Sequence, residues 1–136
     1  MKPIQTVVET GIYADDLDQA ERFYGDILGL SLVGKEAGRH VFFRVGESSM
    51  LLVFRPSATL KGDHLPAHGG NGPGHIALGI DAADLNAWRA HLAGQGVVIE
   101  HEEMWPRGGH SLYFRDPAGN SVELLTPGLW GLPSGW

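Results

Sequence analysis

The sequence contains no cysteine, and lysine and arginine are scarce. The absence of thiols excludes disulfides, thiolate metal ligands and cysteine nucleophiles. The 10 basic residues stand against 16 acidic ones, for a net charge of −6, and they do not cluster, which argues against a nucleic-acid partner. No apolar run approaches the ~20 residues of a membrane span, and the N-terminus lacks a secretory signal pattern. We therefore expect a cytoplasmic protein without nucleic-acid or membrane partners.

An internal repeat organises the chain. Residues 9–13 correspond to residues 75–79, and residues 51–56 correspond to residues 122–127. A repeat of this length indicates that one supersecondary unit is used twice, and that the two copies pack together to bury their apolar faces. A length of 136 residues suits a single domain. We predict one domain over 1–136, with module 1 at about 5–56, a loop at 57–74, module 2 at about 75–127 and a tail at 128–136.

Each module is predicted to have the order β-α-β-β-β, which makes the protein α+β. Asp15 or Asp16 is expected to cap the first helix and Gly29 to end it, while Asp81 is expected to cap the second helix. Each module would form a curved mixed sheet with its helix on the convex side. The predicted strands are 5–13, 31–35, 40–45 and 50–55 in module 1, and 75–80, 97–102, 111–115 and 121–126 in module 2.

Three polar residues interrupt otherwise apolar strand patterns at corresponding ends of the two modules: Glu9, His75 and Glu123. Alternation along the strand predicts that His75 lies on the face opposite Ile76. Glu123 is flanked by apolar neighbours, and a carboxylate on a packed face requires a metal ion, hydrogen bonds or solvent. These three residues are the candidates for chemistry.

Three segments resemble the vicinal-oxygen-chelate superfamily: residues 13–30, 74–77 and 113–124. This superfamily includes glyoxalase I, bleomycin-binding resistance proteins, fosfomycin-modifying enzymes, methylmalonyl-CoA epimerase and extradiol dioxygenases. The resemblance implies paired βαβββ modules around a cup that usually holds a divalent metal ion. It also implies a homodimer, because members of the family commonly dimerise.

Carried over position by position, the family's metal ligands fall on Glu9, Leu52, His75 and Glu123. The family usually has histidine where this chain has Glu9. Leu52 cannot coordinate a metal, so the four-ligand pattern of glyoxalase I and the epimerase is broken. One imidazole and two carboxylates would favour Mn²⁺, Mg²⁺ or Fe²⁺, and Zn²⁺ and Ni²⁺ are also compatible. If instead metal binding has been lost, the two carboxylates could form a general acid/base pair.

Two classes of function remain open from the sequence. The first is a glyoxalase-like, metal-dependent enzyme in which Glu9, His75 and Glu123 hold the ion, the ion binds vicinal oxygens of a small substrate, and Glu123 or Glu9 acts as base. The second is a metal-free binding protein similar to the bleomycin-binding members. An extradiol-type dioxygenase is less favoured because Glu9 replaces a histidine. Four further histidines are additional candidates: His64, His68, His101 and His110.

Overall fold

The computed structural model describes residues 1–70 and 72–136. Asn71, which falls in the predicted loop 57–74, lies outside the described residues. The chain divides into two compact units, Met1–Gly72 and Pro73–Trp136. In the part that is described, no helix has the length and apolar character needed to cross a membrane.

Both units repeat one order of elements, which confirms the two predicted βαβββ modules. Unit 1 contains β1 (Glu9–Tyr13), α1 (Leu17–Glu21), a π-helical turn (Arg22–Ile27), β2 (Ser31–Glu36), β3 (His40–Val45), β4 (Ser49–Phe54) and α2 (Pro56–Thr59). Unit 2 contains β5 (His75–Gly79), a 3₁₀ turn (Ala82–Asp84), α3 (Leu85–Gly94), β6 (His101–Met104), β7 (His110–Arg115) and β8 (Ser121–Leu125).

Each unit forms a four-stranded mixed sheet. The strand orders are β1-β4-β3-β2 and β5-β8-β7-β6. In both sheets the first and last strands of the module pair in parallel, and the other pairs are antiparallel. This topology confirms the α+β class. It also places the first and last strands, which carry the candidate residues, side by side within each sheet.

The core of unit 1 lies between its first helix and one face of its sheet. Tyr24 in the π-helical turn packs on Phe43 of β3, with ring centroids 5.9 Å apart, and both side chains are fully buried. Leu51 and Val53 of β4 are also fully buried. Because side chains alternate along a strand, Leu52 between them points to the opposite face. In each sheet we call the face turned away from the helix the open face.

The first helix begins and ends as predicted, and the second does not. Asp16 Oδ1 accepts a hydrogen bond from Gln19 N at 3.0 Å, and Gly29 adopts a φ of 74° after the helix, a conformation that glycine tolerates without strain. Asp81 makes no side-chain capping bond. The prediction that Asp81 caps the second helix is therefore wrong, because a 3₁₀ turn intervenes before α3.

Two strands, β1 and β6, differ from the prediction by more than one residue. β1 begins at Glu9 rather than residue 5, because its ladder with β4 starts where Glu9 pairs with Met50. β6 covers His101–Met104 rather than 97–102. The backbone N–H of Val97 donates to Leu92 O at 2.9 Å. This bond holds Val97 against the end of α3, so the chain joins the sheet only at His101.

Candidate functional site on the sheet of unit 2

The open face of the second sheet gathers the polar residues of unit 2. Val122 and Leu124 are buried in the core, so Glu123 between them points to the open face. In the ladders, Glu123 lies between Ala77 of β5 and Tyr113 of β7. The small side chain of Ala77 leaves room beside the carboxylate.

Glu123 is a buried carboxylate with 5% of its surface exposed. Its Oε1 atom accepts hydrogen bonds from Ser111 Oγ and from Tyr113 OH at 3.0 Å. Both donors belong to β7, and they lie two residues apart on the same face. These bonds compensate for the desolvation of Oε1. Neither of them involves Oε2.

His75 brings its ring to the other carboxylate oxygen. Its Nδ1 lies 3.1 Å from the carbonyl oxygen of Ser121, and its Nε2 lies 3.4 Å from Glu123 Oε2. A carbonyl only accepts, so the hydrogen bond requires a proton on Nδ1. The remaining ring nitrogen, Nε2, is then the one that faces Glu123 Oε2. The arrangement therefore sets an imidazole nitrogen and a carboxylate oxygen side by side, and both are atom types that bind metal ions.

The tyrosine beside Glu123 also borders a pocket. The Tyr113 and His75 rings are near-parallel, with centroids 6.5 Å apart. The pKa of the Tyr113 hydroxyl is raised, first by burial and also by its contact with Glu123, so near neutral pH the phenol keeps its proton and can donate. A pocket of about 320 Å³ adjoins this ring; its lining comprises Glu100, His101, Glu103, Trp105 and Tyr113.

The remaining candidates, Glu9 and Leu52, lie in unit 1. Glu9 is exposed at the start of β1, opposite Met50. Leu52 is buried at 8% exposure and lies between Gly11 and Phe42 in the ladders. Leu52 offers no ligand atom.

The four additional candidate histidines each have a partner other than Glu123. His68 Nδ1 lies 2.9 Å from Tyr13 OH, and His101 Nε2 lies 3.0 Å from Glu103. His110 Nε2 lies 2.9 Å from Glu102 Oε2. His64 is mostly exposed, with its ring 3.5 Å from Asp63.

Glu102 belongs to an ion-pair network on the helix side of the second sheet. The pKa of Glu102 falls to about 2, chiefly through its hydrogen bond with Arg89 and further through His110. Arg89 Nε and Nη2 contact the two carboxylate oxygens at 2.8 and 2.7 Å. This network ties α3 to β6 and is separate from the Glu123 carboxylate.

Of the predicted site residues, the structure brings His75 and Glu123 together. Within residues 1–70 and 72–136, no group of three or more His, Asp or Glu side chains forms a metal-binding cluster. His75 and Glu123 thus lie together, and a metal-binding role for them and for Glu9 stays a prediction.

The family follows from a comparison with known proteins. Residues 6–124 match the model of the Glyoxalase/Bleomycin resistance protein/Dioxygenase superfamily. The chain belongs to this superfamily. Two relatives are each described as a probable lactoylglutathione lyase. The one from Synechocystis is 31% identical, covering 88% of this chain and 93% of that protein. The one from Vibrio cholerae is 28% identical and covers 88% of both chains.

A solved structure supports the same membership. The crystal structure of a lactoylglutathione lyase from Agrobacterium tumefaciens is 43% identical and superposes with a TM-score of 0.90. The match covers 96% of this chain and 99% of that one. The likeness therefore extends over nearly all of this chain.

Sequence reasoning missed the hydroxyl groups that contact Glu123. A signal for Tyr113 was available, because the turn at residues 116–120 joins two adjacent strands. Pairing Arg115 with Ser121 across that turn puts Tyr113 directly opposite Glu123, as observed. Ser111 lies two residues further along the same face. The contribution of Trp105, whose Nε1 donates to Ser111 Oγ at 2.8 Å, has no comparable signal because it comes from a loop.

Proposed function

We propose that this protein is a metal-dependent enzyme that binds vicinal oxygens of a small substrate. The observation that carries the proposal is the approach of His75 Nε2 to Glu123 Oε2, at 3.4 Å. The Nδ1 proton required by the Ser121 carbonyl leaves Nε2 as the ring nitrogen that would coordinate an ion. A divalent cation would be held by His75 Nε2 and Glu123 Oε2 together.

The two side chains fit such an ion in type and spacing. Imidazole nitrogen and carboxylate oxygen both coordinate at about 2.0–2.2 Å in zinc sites. Two ligands on one ion at angles of about 90–110° are then about 3.0–3.5 Å apart, which includes the observed separation. His75 also has the contact typical of a metal-ligating histidine, whose second ring nitrogen donates to a carbonyl or carboxylate.

Glu9 is proposed as the third ligand. It occupies the first strand of its module, as His75 does in the other module, and the resemblance to the family supports a ligand at each position. With Glu9, the set would be one nitrogen and two oxygens, which suits Mn²⁺, Mg²⁺ or Fe²⁺ and is compatible with Zn²⁺ and Ni²⁺. Leu52 leaves the fourth family position to water or substrate.

The chemistry would be carried jointly by the ion and by Glu123. A bound divalent ion would act as a Lewis acid toward two adjacent substrate oxygens. Glu123, whose Oε2 receives no bond from Ser111 or Tyr113, would leave the ion, accept a proton from a substrate carbon at that oxygen and return it to a neighbouring carbon. Glu9 is the second candidate for this proton transfer. The burial of Glu123 keeps water away from the step.

Turnover of lactoylglutathione is the first reaction to test, because the relatives are named lactoylglutathione lyase or probable lactoylglutathione lyase. The protein would be freed of metal with chelator, reloaded separately with each candidate ion and assayed. We expect activity that depends on the ion and that falls at least 100-fold in Glu123→Gln. Metal-dependent activity that is unchanged in Glu123→Gln would contradict the assignment of Glu123.

A metal-free binding protein is the second candidate. It is favoured by the apolar Leu52 and by the lack of a three-residue ligand cluster among the described residues. Calorimetry separates the two functions: an enzyme should bind Mn²⁺ or Zn²⁺ with about 1:1 stoichiometry, whereas a binding protein should take up an organic ligand without metal.

We also propose that the protein is a homodimer, on the family resemblance. The cytoplasmic location expected from the sequence stays a prediction. Light scattering on a sizing column tests the assembly. A mass near twice 14.7 kDa is expected, and a single-chain mass would contradict the dimer.

A further inference from the structure

A chain of hydrogen bonds with a fixed direction ends on Glu123. The indole Nε1–H of Trp105 donates to Ser111 Oγ at 2.8 Å, and Ser111 Oγ is bonded to Glu123 Oε1. An indole nitrogen can only donate. The serine oxygen therefore accepts from Trp105, and its single proton is directed to Glu123. Ser111 is fully buried, so water does not compete for that proton.

A second donor reaches the same carboxylate oxygen. Tyr113 OH donates to Glu123 Oε1 at 3.0 Å. The phenol ring is fixed by its place opposite Glu123 in the strand ladder and by ring contacts with His75 and His101, whose centroids lie 6.5 and 5.9 Å away. Both donors act on Oε1, while Oε2 faces His75.

We infer that Trp105, Ser111 and Tyr113 are positioning residues that lock the Glu123 carboxylate in one orientation, with Oε2 as its only reactive oxygen. The inference rests on the proposed function, in which Glu123 holds a metal ion. Two donors on Oε1 prevent rotation of the carboxylate and oppose chelation of the ion by both oxygens. Glu123 thus binds the ion through one oxygen, Oε2.

The effect on metal affinity tests this role. Residues that orient a metal ligand typically contribute about 10–100-fold to affinity or activity. We expect Ser111→Ala and Tyr113→Phe each to raise the dissociation constant for Mn²⁺ by about 10-fold or more, measured calorimetrically on chelator-treated protein. Trp105→Phe should have a smaller effect, and its effect should largely vanish in the Ser111→Ala background, because Trp105 acts only through Ser111.

Thr126→Val is the matched control. Thr126 is also buried, and its hydroxyl oxygen accepts from His110 N at 2.8 Å, so the change removes a buried hydroxyl that does not touch Glu123. It should leave the dissociation constant within twofold of wild type. Circular dichroism and urea midpoints establish that each variant is folded. If Ser111→Ala does not fold, the dissociation constant of Tyr113→Phe for Mn²⁺ decides the test.

The outcomes separate this inference from the proposed function. If wild type binds the ion and Ser111→Ala and Tyr113→Phe bind it more weakly, both the proposed function and the positioning role are supported. Wild-type binding with folded variants that bind within twofold of wild type, or an equal loss in Thr126→Val, overturns the positioning role and leaves the metal site intact. A wild type that takes up none of Mn²⁺, Fe²⁺, Ni²⁺ and Zn²⁺ overturns the proposed function and this inference with it.

Discussion

Replacing Asn120 with alanine should destabilise the turn that precedes β8 and adjoins the candidate site. Asn120 is 2% exposed. Its Nδ2 donates to Asp116 Oδ2 at 2.8 Å, and its Oδ1 accepts from Gly74 N at 2.7 Å. A hydrogen bond to a charged group contributes about 1.5–3 kcal/mol and a neutral one about 0.5–1.5 kcal/mol. The expected loss in the free energy of unfolding is therefore about 2–4 kcal/mol.

Urea denaturation followed by tryptophan fluorescence measures this loss. At roughly 4 °C per kcal/mol for a domain of this size, Tm should fall by about 8–16 °C. Asn120→Asp is the matched variant: it keeps the shape but places a second carboxylate against Asp116, so we expect it to be no more stable than Asn120→Ala. A loss below about 0.5 kcal/mol in Asn120→Ala, with an unchanged m-value, would refute the reasoning.

Two further predictions concern the tail and the acid limit of stability. A Cβ on Gly79 would overlap the indole ring of Trp136, so Gly79→Ala should cost about 1–3 kcal/mol as an overpacking change. Its cost should fall sharply in a Trp136→Ala background, and an equal cost in both would contradict the contact. The pKa of Glu102 is lowered from 4.5 to about 2, so its contribution is complete above about pH 4.5 and is lost as pH falls toward 2. Urea titrations from pH 5 to 2 should show a shallower decline in Glu102→Gln than in wild type, and equal slopes would contradict this assignment.

Much of the fold was predictable because local patterns and tertiary packing agree. The repeat fixed the module order, and Asp16 and Gly29 bound the first helix through local chemistry. The predicted strand bounds were wrong where the position of a partner strand determines where a strand begins. Nothing in residues 5–8 reveals that the ladder of β1 starts only at Glu9.

The candidate site was predictable only in part, for a related reason. His75 and Glu123 stand out because they are polar residues in apolar strands, and the structure brings them together. Ser111 and Trp105 gave no such signal. Serine is common on strands, and the role of its hydroxyl depends on the loop that delivers the Trp105 N–H. Hydrogen bonds between elements that are distant in sequence are set by packing and are not encoded in any local pattern.

Metal analysis of the purified protein tests the central claim most directly. Wild type, His75→Ala and Glu123→Ala would be purified without tag or chelator and analysed for bound metal by mass spectrometry. The account predicts close to one divalent ion per chain in wild type and a loss of most of it in both variants. Metal-free wild type that takes up no Mn²⁺, Fe²⁺, Ni²⁺ or Zn²⁺, or variants that keep the full amount, would contradict a metal site at His75 and Glu123.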